Sequence, residues 1–180
     1  FENPYVDEEV AIKLVGNEAF QKKADIAFRK SIVLLRNASL PGQETNTLPL
    51  KPKTKIYFES YFQKKGAGAS NVYQAADNRY DIEFVKTPEE ADEIVLWITS
   101  GSKSLFDADV SPLYLKLTKN AVDVDYVNKL TSKKPTILLI NYTNPWVIDE
   151  IYNDKNNGNI KAVLATFGTT VEAVLDVVTG

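Results

Sequence analysis

The chain has 180 residues and a formal net charge of -3, and 44% of its residues are hydrophobic, which is the composition of an ordinary folded domain. It contains neither cysteine nor histidine, which excludes disulfides, thiolate and Ser-His-Asp nucleophiles, and metal sites built on these ligands. The slightly acidic charge and the lack of a long basic or apolar run predict no nucleic-acid partner and no membrane partner.

The first third of the chain predicts two helices and a strand. Residues 1–16 read as a linker and a short helix, because Asn-Pro favours a turn and Asp7 is a suitable N-cap. A second helix is predicted from Asn17, with an apolar face that we expect to pack on a sheet. Residues 32–35 are typical of a strand, and residues 38–53 of an exposed loop.

From Lys55 onwards, strand patterns alternate with crossover segments. Strands are predicted at 56–58, 81–85, 93–98, 136–142 and 162–167. Helices are predicted to start at Thr87 and to span 123–130, 145–152 and 171–178, and the alternation of leucines at 113–117 favours an extended segment. The alternation predicts an α/β fold, a three-layer α/β/α sandwich with a mostly parallel sheet of about six strands.

A polar loop after an apolar run carries the strongest candidates for chemistry. Residues 94–98 are continuously apolar, which predicts a strand buried on both faces, and the loop after them contains Asp107 and Asp109. Open α/β sheets bind ligands beyond the carboxyl ends of their strands, so both carboxylates are candidate functional residues. The competing interpretation is an acidic loop that is simply solvated.

Two glycine-containing segments are further candidates for anion binding. Gly66-Ala67-Gly68 matches part of a dinucleotide fingerprint but lacks its third glycine, and residues 71–77 after it predict one or two helical turns. Gly168-Thr169-Thr170 precedes a predicted helix, whose N-terminal N–H groups are suited to an anion. A capped strand-to-helix turn explains the same residues without a ligand.

Aromatic residues are open to two interpretations, a sugar site or the core. Four of them lie in and after the strand predicted at 56–58: Tyr57, Phe58, Tyr61 and Phe62. At least half of these are expected in the core. Trp97 lies in the middle of a predicted strand and is assigned to the core, whereas the role of Trp146 is left open.

Several stretches in the same order resemble the C-terminal α/β sandwich domain of glycoside hydrolase family 3. Residues 24–37, ADIAFRKSIVLLRN, are similar to the family's helix and SIVLLKN strand, and Leu48-Pro49-Leu50 to the LPL that follows. Residues 90–96, EADEIVL, resemble the eADvvvvv strand, and residues 161–180 resemble the closing segment. FENPY at 1–5 is similar to the end of the linker from the family's N-terminal (β/α)8 barrel.

The resemblance implies a division of the chain and a place for an acid catalyst. Residues 1–16 would be the linker and short helix that follow an absent barrel domain, and residues 17–180 the sandwich domain. In the family the barrel supplies an aspartate nucleophile, and in many members the loop after the ADvvvvv strand lends a glutamate as general acid/base. By position Asp107 matches that glutamate and Asp109 is the alternative, although the side chain is shorter and VSPLY at 110–114 replaces the usual DR…LP…Q run. The remaining alternatives are another carboxylate, a residue of the barrel, or none.

The implied function is retaining hydrolysis of terminal β-linked sugar residues, β-glucosidase-like, carried out together with the barrel. This mechanism requires two carboxyl groups about 5 Å apart, one of them an acid with a raised pKa, so the isolated chain is expected to be inactive. The implied partners are the barrel and an oligo- or aryl-glycoside, with no cofactor and no metal. The alternatives are a non-catalytic structural or substrate-shaping module and a flavodoxin-like binding domain. The lack of both cysteine and methionine fits a piece of a longer protein, with a lean towards a periplasmic or secreted setting.

Overall fold

The computed structural model describes residues 5–40, 42, 44–64, 67–74, 79–101, 114–153 and 158–180, which contain four α-helices and seven strands. The helices are α1 (Glu8–Leu14), α2 (Glu18–Lys30), α3 (Val124–Thr131) and α4 (Val171–Thr179). The strands are β1 (Val33–Asn37), β2 (Lys55–Lys64), β3 (Ala67–Val72), β4 (Glu83–Phe84), β5 (Glu93–Thr99), β6 (Thr136–Asn141) and β7 (Ile160–Thr166). A 3₁₀ helix spans Leu117–Asn120.

The strands form one mixed sheet in the order β1-β7-β6-β5-β2-β3, and β4 pairs with β2. Neighbours among β2, β5, β6 and β7 are parallel, whereas β1 is antiparallel to β7 and β3 is antiparallel to β2. Every residue of β6 is buried, and so is every residue of β5 except the last. Burial on both faces explains why these two strands are almost continuously apolar.

Each face of the sheet carries its own hydrophobic core, which confirms the three-layer α/β/α sandwich. On one face, Val127 and Leu130 of α3 and Leu117 of the 3₁₀ helix pack on the sheet. On the other face, α4 contributes Val174, Leu175 and Val178 to the core, where they join Trp97. Thr170 caps α4, since its Oγ1 accepts a hydrogen bond from the N–H of Ala173 at 3.2 Å.

Helix α2 is held against α4 and not against the sheet, so the predicted packing of its apolar face is wrong. Its start is as predicted, because the side chain of Asn17 caps the first turn. Arg29 near its end donates to Asp176 of α4 at 2.9 Å, and Phe20 on its first turn is exposed. The sheet face is already covered by α4, which leaves α2 as an outer layer without a fully buried residue.

Ala67 and Gly68 belong to a β-hairpin, which contradicts both the helical turns predicted after them and the partial match to a dinucleotide fingerprint, while Gly66 lies outside the described residues. Strand β2 continues to Lys64, and Ala67 and Gly68 of β3 pair with Lys64 and Gln63. Residues 71–72 end β3, so this part of the segment predicted as helical is extended. A dinucleotide fingerprint requires a turn from a strand into a helix, which this antiparallel pairing excludes.

Tertiary pairing replaces the predicted helices at 87–92 and 145–152. Asp92 exchanges two hydrogen bonds with Lys55, at 2.8 and 2.9 Å, and this leaves room for only a turn before β5 begins. The N–H of Val147 donates to the carbonyl of Leu115 at 2.9 Å, which holds this part of the chain in a bridge beside Lys116. Here contacts between residues distant in sequence override the local preference for a helix.

The loop at residues 38–53 was predicted to be exposed, but part of it belongs to the core. Leu48 and Leu50 are buried beside α4, and the side chain of Asn37 holds both the N–H and the carbonyl of Leu48. The LPL sequence therefore fastens the loop to the second core.

Within the described ranges, no helix has the length and apolar character needed to cross a bilayer.

Glu93 is a buried carboxyl group at the amino end of β5. Its side chain is 6% exposed, and Oε2 has no hydrogen-bond partner among the described residues. Burial, with a smaller contribution from Asp92, raises the pKa of Glu93 to about 7, while Lys51 opposes the shift. The folded state therefore holds a proton that the unfolded state releases near its ordinary pKa of 4.5. The free energy of unfolding must fall as the pH rises from about 4.5 to about 7.

Replacing Glu93 by Gln should remove this pH dependence. At pH 8 we expect Glu93→Gln to unfold with a free energy higher than wild type by on the order of 3 kcal/mol, because a neutral amide replaces a buried charge. Below pH 4.5 the two proteins should differ little. Urea unfolding at several pH values measures this, with the exposed Glu90→Gln as control. Equal pH profiles for Glu93→Gln and wild type would contradict the assignment.

Candidate functional site

The carboxyl ends of three parallel strands meet at one edge of the sheet. Thr99 of β5 is in register with Asn141 of β6, and Asn141 is in register with Thr166 of β7. Adjacent strands are about 4.8 Å apart, so the segments that leave these strands start side by side. This edge, called the carboxyl edge below, is where open α/β sheets bind ligands.

Asp107 and Asp109 follow β5 in the sequence, and both lie outside the described residues. The chain is described up to Gly101 and again from Tyr114. The segment at 102–113 therefore leaves from the end of a buried strand and returns next to the 3₁₀ helix. The structure thus fixes where the two ends of this segment lie.

Asn120 binds the chain on both sides of that segment. Its backbone carbonyl accepts hydrogen bonds from the N–H of Gly101 at 3.1 Å and from the hydroxyl of Ser100 at 3.4 Å. Its side-chain Nδ2 donates to the carbonyls of Tyr114 at 2.7 Å and Lys116 at 2.8 Å. Asn120 itself is buried. A single residue thus fixes the separation of the two ends of the loop that carries Asp107 and Asp109.

The 3₁₀ helix supplies a rigid support for Asn120. Leu117 at its start is fully buried in the core, and Ala121 after it adopts a left-handed conformation with φ of 62°. The hydroxyl of Thr118 donates to Glu150 at 2.6 Å, which ties the outer side of this helix to the chain that follows β6. The predicted extended segment ending at Leu117 is therefore wrong at its last residue, which begins a helical turn.

An open cavity of about 430 Å³ lies at the carboxyl ends of β6 and β7. Three aromatic residues and three neighbours line it: Tyr142, Trp146, Phe167, Thr143, Asn144 and Pro145. The rings of Tyr142 and Phe167 have centroids 6.2 Å apart and planes inclined by 32°. Trp146, whose role the sequence left open, is both a core residue and part of this lining.

The other aromatic candidates are core residues. Tyr57, Phe58 and Tyr61 are buried, so the interpretation of these three as a sugar site is wrong, and the side chain of Phe62 lies outside the described residues. Trp97 is buried as predicted, and its indole N–H donates to Thr166 Oγ1 at 3.0 Å.

Glu59 is a fully buried carboxylate that sequence reasoning missed. It accepts hydrogen bonds from the hydroxyl of Tyr57 on the same strand at 2.7 Å and from that of Tyr126 at 2.8 Å, and the second bond joins β2 to α3. Burial, and next the neighbouring Glu59, raise the pKa of Tyr57 well above its usual range. Since Glu59 is inaccessible, it serves to attach α3 and is not available to a substrate. The alternation Tyr57-Glu59-Tyr61 on one face of a strand is the signal from which this cluster could have been found.

Gly168-Thr169-Thr170 forms a capped turn, as one of its two interpretations predicted. The N–H of Gly168 donates to Asn141 Oδ1 at 2.9 Å, and Gly168 adopts a φ of +73° that suits glycine.

In the part of the chain that is described, no group of acidic side chains is placed to hold a metal ion.

The chain is similar along its whole length to part of several larger proteins. It is 33% identical over 186 residues to "Beta-glucosidase C" of Emericella nidulans and 32% identical over 183 residues to "Probable beta-glucosidase C" of Aspergillus flavus. Each alignment covers 100% of this chain and 26% of the relative, so the chain spans about a quarter of the length of these relatives. No family model matches the chain.

The same kind of protein appears among solved structures. A "novel beta-glucosidase" from Paenibacillus barengoltzii superposes with a TM-score of 0.60 at 18% identity, over 91% of this chain and 23% of that one. The sheet, its two covering layers and this likeness define an α/β sandwich domain. These matches fit the C-terminal α/β sandwich domain of glycoside hydrolase family 3, the family that the sequence motifs resemble.

Removing the side chain of Asn120 should release the ends of the loop. Asn120→Ala deletes two hydrogen bonds to backbone carbonyls, which predicts a loss of about 1–3 kcal/mol in the free energy of unfolding. Trypsin should also cut after Lys103 faster than in wild type under native conditions, as followed by mass spectrometry.

Asn128→Ala is the matched control, because Asn128 donates to a single carbonyl, that of Glu150, at 3.3 Å and away from this loop. Equal cleavage rates after Lys103 in wild type and both variants would show that Asn120 does not hold the loop.

Proposed function

We propose that this chain forms one side of the active centre of a retaining, β-glucosidase-like enzyme that removes terminal β-linked sugar residues. The observation that carries the proposal is the match of the entire chain to a quarter of proteins named beta-glucosidases. An N-terminal (β/α)8 barrel of the full-length protein supplies the nucleophile. The substrate is an oligo- or aryl-glycoside.

In this proposal Asp107 is the general acid/base and Asp109 is the alternative. A retaining glycosidase needs a second carboxyl group that protonates the leaving oxygen and then activates water. The loop with these residues starts at the carboxyl edge and has its ends tied together by Asn120. This arrangement supports the proposal because an acid must be held at a fixed distance from the nucleophile. A barrel that closes over the edge would remove water and raise the pKa of the acid.

The exposed apolar surface of the N-terminal elements supports a barrel as partner. Val10, Ile12 and Leu14 of α1 are exposed, and so are three consecutive apolar residues, 33–35, of the edge strand β1. Exposed apolar area of this extent marks an interaction surface in a soluble protein. The contact would place the linker and α1 against the preceding domain.

A second candidate is a sandwich domain that shapes the substrate pocket without taking part in proton transfer. It is favoured by one specific observation, the aspartate at position 107 where the family pattern has a glutamate. An aspartate carboxyl reaches one methylene less far from the backbone.

Replacing Asp107 by Asn in the full-length protein separates the two candidates. If Asp107 is the acid/base, kcat on an alkyl or oligosaccharide β-glucoside should fall by about 10²–10⁴-fold. Azide should restore turnover of an activated aryl β-glucoside as a glycosyl azide, because a small anion replaces the base-assisted attack of water.

Asp109→Asn tests the alternative: it should leave kcat within a few-fold if Asp107 is the acid/base, whereas a large loss in Asp109→Asn alone would assign the role to Asp109. Retention of full activity by both variants would favour the pocket-shaping candidate. The isolated 180-residue chain should not hydrolyse an aryl β-glucoside, since it lacks the nucleophile. Turnover by the isolated chain would overturn the proposal of a shared active centre.

A further inference from the structure

The proposed function does not use the cavity at the ends of β6 and β7. We propose that this cavity binds a pyranose ring of a β-linked oligosaccharide, as a subsite for sugar units beyond the bond that is cleaved. The inference deepens the proposed function, on which its choice of ligand rests. The described lining residues of the cavity are 142–146 and Phe167.

The aromatic lining suits the apolar face of a sugar. Phe167 is 56% exposed, which is unusual for a phenylalanine that directly follows a buried strand. Its ring lies beside that of Tyr142, with 6.2 Å between centroids, so the two rings form a continuous apolar wall. A β-linked pyranose with equatorial hydroxyls presents C–H groups on both faces, and burying one face on such a wall removes apolar area from water.

Polar groups of the same cavity suit the rim of a sugar. Thr143 is exposed and Asn144 is half-buried, so both offer hydrogen-bonding groups next to the rings. Trp146 is 4% exposed, and its indole N–H has no hydrogen-bond partner among the described residues. The hydroxyl of Tyr142 is a further polar group of the lining, and burial raises its pKa. A small number of polar groups in an apolar, concave lining is typical of a small-molecule site.

The position of the cavity sets which part of the substrate it would contact. Tyr142 directly follows β6, and β6 is the immediate neighbour of β5, from which the loop with Asp107 departs. Strands are about 4.8 Å apart, a distance comparable to the length of one sugar unit. A chain of sugars that enters the active centre over β5 would therefore lay its next units across β6 and β7. Aryl glycosides with a single sugar would not reach the cavity.

Binding to the chain itself tests the proposal without requiring catalysis. In an NMR titration of the 180-residue chain with cellotetraose, we expect saturable shifts of the Trp146 indole N–H and of the backbone N–H groups at 142–144. Maltotetraose, which has α-linkages, should bind more weakly. Phe167→Ala should weaken cellotetraose binding by about five- to tenfold, the cost of one ring contact.

Two variants control for the loss of a ring and for misfolding. Phe20→Ala removes a ring with a similar exposure, 52%, on α2 and should leave binding unchanged. Phe167→Tyr keeps the ring and should keep the affinity. Absence of saturable shifts at 142–146, or equal affinity of Phe167→Ala and wild type, would overturn the proposal.

The full-length protein separates failure of the subsite from failure of the proposed function. If the enzyme hydrolyses β-glucosides, Phe167→Ala should raise KM for cellotetraose several-fold and leave KM for an aryl glucoside unchanged. Equal KM values for cellotetraose would reject the subsite alone. If the full-length protein has no glycosidase activity but Phe167 still governs cellotetraose binding, the subsite stands and the proposed function fails.

Discussion

Burial of β5 and β6 on both faces is the constraint from which the rest of the structure follows. Two short apolar strands can be covered on both sides only if helices lie on each face of a parallel sheet. In that arrangement the carboxyl ends of β5, β6 and β7 are brought to one edge. The loop with Asp107 and Asp109 and the capped turn at Gly168 leave from that edge. The aromatic cavity lies at the same edge. The hydrophobic effect thus determines which edge of the sheet carries the candidate site.

Polar residues then fix details that apolar packing leaves undetermined. Asn120 joins both ends of the acidic loop, and Glu59 joins β2 to α3 through the hydroxyl of Tyr126. Glu93 differs from these, because its buried Oε2 has no partner in the described part of the chain. Hydrogen-bonded buried groups specify geometry, whereas an unpartnered carboxyl group lowers stability at neutral pH.

The sequence was most informative where the apolar pattern is long. The runs at 93–98 and 136–142 and the order of motifs predicted the layers and the family. It was least informative where distant pairing decides: the helix signals at 87–90 and 145–152 lose to bonds with Lys55 and Leu115. The pairing of β2 with β3 at Lys64 and the hydrogen bonds of Asn120 join residues whose contact cannot be predicted from local sequence periodicity. The roles of Asp107 and Asp109 stay predictions from family resemblance and from their position after β5.

The central claim is that the carboxyl edge faces the substrate and the missing domain. Since this chain has no cysteine, a single cysteine can report on either edge, in a full-length protein cleared of other cysteines. Thr143→Cys lies at the carboxyl edge, and Ser132→Cys lies at the opposite edge, between α3 and β6. The account predicts that maleimide labels Thr143→Cys much more slowly in the full-length protein than in the isolated chain, while Ser132→Cys is unaffected. Protection of Ser132→Cys with free labelling of Thr143→Cys would contradict it.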